Sequence, residues 1–189
     1  MSKISHISSS SLLLLLTSPD VPYAALPYVK WILPNAPERP ISLAYGQKMP
    51  AWFDLSSLEK LTDAASEDIP GLNTSAAAIQ ALVLQHSVDL PAHRTVVGGF
   101  SQGSAMALLA GLTGPENDAA KGREIEQAVG GVVALSGWLP MRTTVEARFH
   151  KGATKLPVFW GHGKADQVVN WQCEWYMSRS ACSIGKATG

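Results

Sequence analysis

The stretch VVGGFSQGSAMALLAG, Val96 to Gly111, constrains the fold more than any other part of the chain. Two β-branched residues lead through Gly-Phe-Ser-Gln-Gly into an Ala/Leu/Met-rich segment, so the pattern predicts a strand, a tight turn and a helix in succession. Gly99 and Gly103 allow close packing around a strained turn that lifts Ser101 above the edge of a sheet. At the start of the helix, the backbone N–H of Gln102 then faces a developing oxyanion with the helix dipole behind it. The motif Gly-x-Ser-x-Gly recurs by chance in chains of this size. Its position between strand and helix is what makes Ser101 a candidate nucleophile rather than an incidental serine on a Gly-rich turn.

A nucleophile needs a scaffold, and 189 residues with 46% hydrophobic and 16% charged side chains build one domain with a buried core. Fifteen Lys and Arg balance fifteen Asp and Glu, and no basic run concentrates charge. The chain therefore offers no field for a nucleic-acid backbone or an anionic membrane, and small or lipid-like partners fit it better. Cys173 and Cys182 have neither metal-type spacing nor histidine companions, which argues against a zinc site and a disulfide framework and favours a reducing compartment.

The amino terminus imitates a secretory signal only faintly. Its uninterrupted apolar run, Leu12 to Leu16, is shorter than the about 7 to 15 residues of a signal core and far below the roughly 20 of a membrane span. A poorly ordered leader or one short apolar strand is the expected reading. From Tyr28 onward the chain alternates strand and helix signals. YVKWIL (Tyr28 to Leu33) reads as a strand stopped by Pro34, and ISLAYGQKMPAWFDL reads as a long loop whose Trp52 and Phe53 either line an apolar site or pack into the core. Ala76, Ile79, Leu82 and Val83 recur at helical spacing and predict a helix from about Asn73 to Ser87, with Asn73 or Thr74 as its cap. Strands follow at Arg94 to Phe100, in VGGVVALSGWLP ending near Ser136, and in KLPVFWGHGKAD ending near Gly161. Short apolar strands separated by helices imply an α/β fold with a parallel sheet covered on both faces, whose sites lie at the carboxyl ends of its strands.

Asp166 follows the last of those strands in the loop GHGKADQVV, where a hydrolase of this architecture carries the carboxylate that orients its histidine; an ordinary turn aspartate is the alternative. His162 directly follows the strand and precedes Asp166, so it reads as a packed, hydrogen-bonded loop histidine. The triad order is serine, acid, histidine, and His6, His86, His93, His150 and His162 all precede Asp166.

GGFSQG, LSGWLP, NAPERPISL with MPAWFD, and GHGKADQVV together resemble the acyl-protein thioesterase and carboxylesterase family of α/β-hydrolases, in that family's order and approximate spacing, over about Tyr28 to Trp171. The resemblance implies a serine hydrolase of the cytosol and sometimes the nucleus, working without metal or organic cofactor. Its substrates would be palmitoyl thioesters on protein cysteines, short esters or lysophospholipids. It implies Ser101 as nucleophile, Gln102 as the oxyanion-hole residue, Asp166 as triad acid, and Trp138 and Leu139 as residues bordering the site, with Trp52 of the long loop as a further substrate contact. The family's amino-terminal LHG-x-GD loop, donor of a second oxyanion N–H, has no counterpart in Met1 to Pro27. The match ends near Trp171 before any Gly-x-x-His segment, and CEWYMSRSACSIGKATG shows no strand pattern. Ser104 stands where the family usually has glycine. The resulting division is an unmatched leader at 1–27, an α/β-hydrolase domain at 28–171 and an unmatched tail at 172–189, shortened at the first and last elements, with one sheet flank uncovered and turnover impaired. The alternative is a non-catalytic fragment that binds acyl chains or partners.

Overall fold

The computed structural model describes residues 13–15, 29–59, 61, 63–88, 90, 94–114, 119–169 and 184–187, with only the backbone described at 13–15, 119–121 and 184–187. Most of the signal-like leader, His6, His93, Cys173 and Cys182 lie outside the described residues.

Five strands form one parallel sheet: β1 (Leu13–Leu15), β4 (Thr95–Phe100), β5 (Val129–Leu135), β6 (Val158–Gly161) and β7 (Ile184–Ala187), side by side in that order. Strands β2 (Glu38–Ile41) and β3 (Gln47–Pro50) make a separate antiparallel hairpin. The helices are α1 (Ile69–Ser87), α2 (Gln102–Leu112) and α3 (Ala119–Ala128). The strands β4, β5 and β6 fall where the apolar runs predict them.

Helix α2 is apolar on every side and packs on β4 and β5 with all residues from Gly103 to Leu112 buried. A helix without a polar face belongs in the core. Helix α1 instead buries one stripe, Leu72, Ala76, Ile79 and Val83, together with Ser75 and Gln80. Gln80 is buried because its Nε2 serves the carbonyls of Ala110 and Thr113 at the end of α2, at 3.2 and 2.7 Å.

Four sequence expectations are corrected. Among the described residues of YVKWIL, 29–33, there is no strand; Lys30 makes an isolated bridge, and Trp31 and Ile32 are buried. The long loop contains the β2–β3 hairpin, whose turn passes through left-handed backbone at Tyr45 and Gly46. Helix α1 begins four residues earlier than predicted. Its cap is Asp68, which accepts from Gly71 N at 2.9 Å, and Pro70 sits in the first turn, where its missing N–H costs nothing. The tail supplies β7, which pairs with β6 in parallel, so that flank of β6 is covered and the sheet extends beyond residues 28–171 at both ends.

Candidate active site

Ser101 occupies the turn between β4 and α2 with φ 53° and ψ −120°, a conformation that L-residues rarely adopt and that the surroundings must enforce. Its N–H donates to Leu135 O at 2.9 Å, while its own carbonyl accepts from Ser104 N at 3.0 Å and Ala105 N at 3.2 Å to open the helix. The amides of Gln102 and Gly103 therefore precede the first helical bond and are the free donors of a helix amino terminus. The turn is tight enough that a Cβ on Gly99 would lie 2.1 Å from the carbonyl of Gly103. A Cβ on Gly137 would lie 2.5 Å from the Ser104 side chain and 2.8 Å from Ser101 O. Three segments thus converge on the serine, and glycine is required at two of their contacts.

Register aligns Phe100, Leu135 and Gly161 across the carboxyl edge of the sheet. Ser101, Ser136 and His162 each follow by one residue, and Ser136 N donates to Gly161 O at 2.8 Å. Two strand spacings of about 4.8 Å separate the Ser101 and His162 backbones by roughly 10 Å. Ser136 also has positive φ, 47°, a second non-glycine residue of left-handed φ at this edge.

Asp166 lies on the loop after β6, at the same edge as Ser101. Its Oδ1 accepts from Val168 N and Val169 N, both at 2.9 Å, and its Oδ2 lies 3.4 Å from His162 Nε2. The Val169 N–H above all, and together with it the Val168 N–H and the neighbouring imidazole, hold its carboxyl below the ordinary value against the opposing effect of burial, which ranks second to the Val169 N–H. His162 is the packed loop histidine that its sequence position predicts. Its side chain is fully buried, and Nε2 lies 2.8 Å from Val169 O; a carbonyl only accepts, so Nε2 carries the proton.

Trp138 and Leu139 are buried beside this edge, and the Trp138 ring meets Phe53 edge to face at 5.9 Å and 79°. Trp52, the other sequence candidate for substrate contact, is packed into the core at 6% exposure, as is Phe53 at 3%. Three further polar groups have no signal in the sequence because they serve backbone atoms far along the chain. The Gln102 carboxamide accepts from Trp52 N and donates to Phe53 O, both at 2.8 Å. The Ser75 hydroxyl donates to Trp52 O. Glu67 Oε1 accepts from Met141 N at 2.7 Å, and burial pushes this carboxyl up in spite of that bond and of the nearby Arg142.

Residues 17–183 match the phospholipase/carboxylesterase family. Acyl-protein thioesterase 1 of Cryptococcus neoformans is 39% identical over 152 residues, which cover 79% of this chain and 59% of that protein. The chain thus spans less than two thirds of the length of this curated relative. The crystal structure of Zea mays acyl-protein thioesterase 2 superposes with a TM-score of 0.71 at 26% identity, covering 97% of this chain and 87% of that one. Arabidopsis thaliana SOBER1 shares the fold, with a TM-score of 0.73 at 23% identity over 93% of this chain and 85% of that one. A family match over residues 17–183, which hold β4, β5 and β6, on a strand-turn-helix serine that the backbone itself singles out, makes this chain a member of the phospholipase/carboxylesterase family of α/β-hydrolases.

Proposed function

We propose that the chain is a serine hydrolase of the acyl-protein thioesterase type, which removes palmitoyl groups from protein cysteines and also cleaves small acyl esters, in the cytosol or nucleus. Ser101 attacks the acyl carbonyl while a base oriented by Asp166 takes its proton, the Gln102 N–H binds the oxyanion, the cysteine thiol or alcohol leaves with that proton, and water then hydrolyses the acyl-enzyme to the free acid and Ser101. Trp138 and Leu139 border the acyl group. The observation that carries the reading is the elbow at Ser101, φ 53°, on the sheet edge that also bears Asp166. The names of the Cryptococcus and maize relatives support the substrate class.

A second reading, acyl binding with little turnover, is favoured by the fully buried His162, whose Nε2 proton is committed to Val169 O. A serine without a base at hydrogen-bond distance is a poor nucleophile, and losing the base costs about 10⁶ in a serine hydrolase of another fold that uses the same triad. The two separate by fluorophosphonate labelling and by turnover of a palmitoylated peptide, using the native chain, Ser101→Ala and His162→Ala. Labelling and turnover that vanish in Ser101→Ala establish the hydrolase. Peptide binding with neither labelling nor turnover establishes the second reading, and loss of turnover in a folded His162→Ala variant would make that histidine the base after all.

A further inference from the structure

The segment Ala51–Asp54 is irregular backbone, yet Ala51, Trp52 and Phe53 are buried, so each polar backbone group needs a partner inside the protein. Ala51 N donates to Pro37 O at 3.0 Å, and Asp54 N donates to Asp68 Oδ2 at 2.9 Å. Trp52 O accepts from Ser75 Oγ. A further pair, Trp52 N and Phe53 O, is served by one side chain, the carboxamide of Gln102. Trp52 N can only donate and Phe53 O can only accept, so the amide orientation is fixed, and a neutral group with one acceptor and one donor is required. Asp68 and Ser75 tie the segment to the start of α1, whereas Gln102 ties it to the turn that carries Ser101. The pocket lined by Phe53, Asp54, Leu72 and Trp138 admits about 10 Å³, the room of a single water, so it takes no acyl chain while Phe53 and Asp54 stay in place.

We propose that the Gln102 carboxamide is a latch that holds Ala51–Asp54 shut against the nucleophile turn and limits the access of long acyl chains to Ser101. Gln102 then has two separable parts: a backbone N–H at the helix start, and a side chain that acts as a positioning group through the segment it holds. The latch stands on its own geometry; the access part rests on the hydrolase reading of Ser101.

Hydrogen–deuterium exchange on the full chain tests the latch, with Gln102→Met removing both bonds at similar length and Gln102→Glu keeping only the acceptor. The Trp52 amide is expected to lose at least tenfold of its protection in Gln102→Met while amides of β4 and β5 keep theirs. Gln102→Glu should lose protection at neutral pH and regain it as the new carboxyl is protonated and can again donate to Phe53 O, a rescue that a purely packing role would not produce. Unchanged protection of Trp52 in Gln102→Met, equal loss throughout β4 and β5, or no rescue of Gln102→Glu in acid would overturn the latch. Access is read from the ratio of Ser101 labelling rates with long-alkyl and short-alkyl phosphonates, which is expected to rise several-fold in Gln102→Met. An unchanged ratio overturns the access part alone. If the native chain takes neither phosphonate, the access part falls with the hydrolase reading, and the exchange data still decide the latch.

Discussion

The N–H of Ser101 donates to Leu135 O at 2.9 Å, so the residue that turns the chain out of β4 is also the last rung of the β4–β5 ladder. The unusual φ of Ser101 is therefore held from two sides, by the sheet through its N–H and by α2 through its carbonyl. Gly137 closes the same corner from the loop after β5. A methyl at Gly137 would press on Ser104 and on the Ser101 carbonyl. Gly137→Ala should destabilise the fold by about 1–3 kcal/mol, the usual cost of overpacking, read from the denaturant midpoint. Ser104→Gly should relieve more of the clash by removing the whole side chain, whereas Ser104→Ala removes the Oγ but keeps the Cβ at 2.5 Å and should relieve less of it.

Ser104 itself is fully buried, and its hydroxyl has no hydrogen-bond partner among the described residues. Burying an unsatisfied hydroxyl costs about 1–3 kcal/mol, and alanine is the better helix former. In the otherwise native chain, Ser104→Ala is expected to raise stability by about 1 kcal/mol. A lower melting midpoint would mean that the hydroxyl has a partner, such as a bound water.

Burial raises the Glu67 pKa above 4.5, so the folded chain holds this proton more tightly than the unfolded chain does. A raised folded pKa gives a stability contribution that is present below about 4.5 and lost as pH rises through the folded value. Glu67→Gln keeps an acceptor for Met141 N without the buried charge. The variant should melt higher than the native chain at neutral pH, with the gap closing as pH falls toward 4.5.

Asp166 has the opposite sign. Its carboxylate is stabilised by two backbone N–H groups, which lowers its pKa below 3.8, so its contribution is present above about 3.8 and lost as pH falls through the folded value. Asp166→Asn keeps an acceptor for Val168 and Val169 but removes the charge. The native chain should be the more stable of the two at neutral pH, and the difference should disappear in acid.

The sheet around Ser101 was legible because its strands are short apolar runs and α2 is apolar throughout, patterns that local sequence carries directly. Ser101 and Asp166 were legible for a related reason: each follows such a run at a fixed offset. The hairpin Glu38–Pro50 was not, since all but one of its strand residues lie outside the buried core and no alternation marks them. Tyr28 to Leu33 carried a strand's composition, but its described residues pair only through an isolated bridge at Lys30, and burial of Trp31 and Ile32 satisfied the same composition differently. The start of α1 was masked by Pro70 and Gly71, which read as breakers until Asp68 is seen capping them. The roles of Gln102, Ser75 and Glu67 depend on backbone atoms 49, 23 and 74 residues away, and nothing local announces such a contact.

Asp68 combines three contacts in one carboxylate. Oδ1 caps α1 through Gly71 N, while Oδ2 accepts from Asp54 N at 2.9 Å and lies 3.6 Å from Arg39 Nη1 of the hairpin. The contacts differ in worth. An N-cap is worth about 1 kcal/mol and a hydrogen bond to a charged group about 1.5–3 kcal/mol, whereas a partly exposed ion pair contributes about 0–1 kcal/mol. Asp68→Ala should therefore cost about 2–3 kcal/mol and loosen the segment at Asp54, but Arg39→Ala should cost less than about 1 kcal/mol. Asp68→Asn separates the parts, because its single amide oxygen can still cap α1 through Gly71 N, whereas the NH2 in place of Oδ2 can neither accept from Asp54 N nor pair with Arg39. Its loss should therefore exceed that of Arg39→Ala, and the double variant Asp68→Asn/Arg39→Ala should be little worse than Asp68→Asn alone. Denaturant titration of the four variants measures this directly. If Asp68→Asn costs no more than Arg39→Ala, the bond to Asp54 N adds nothing and the ranking is reversed.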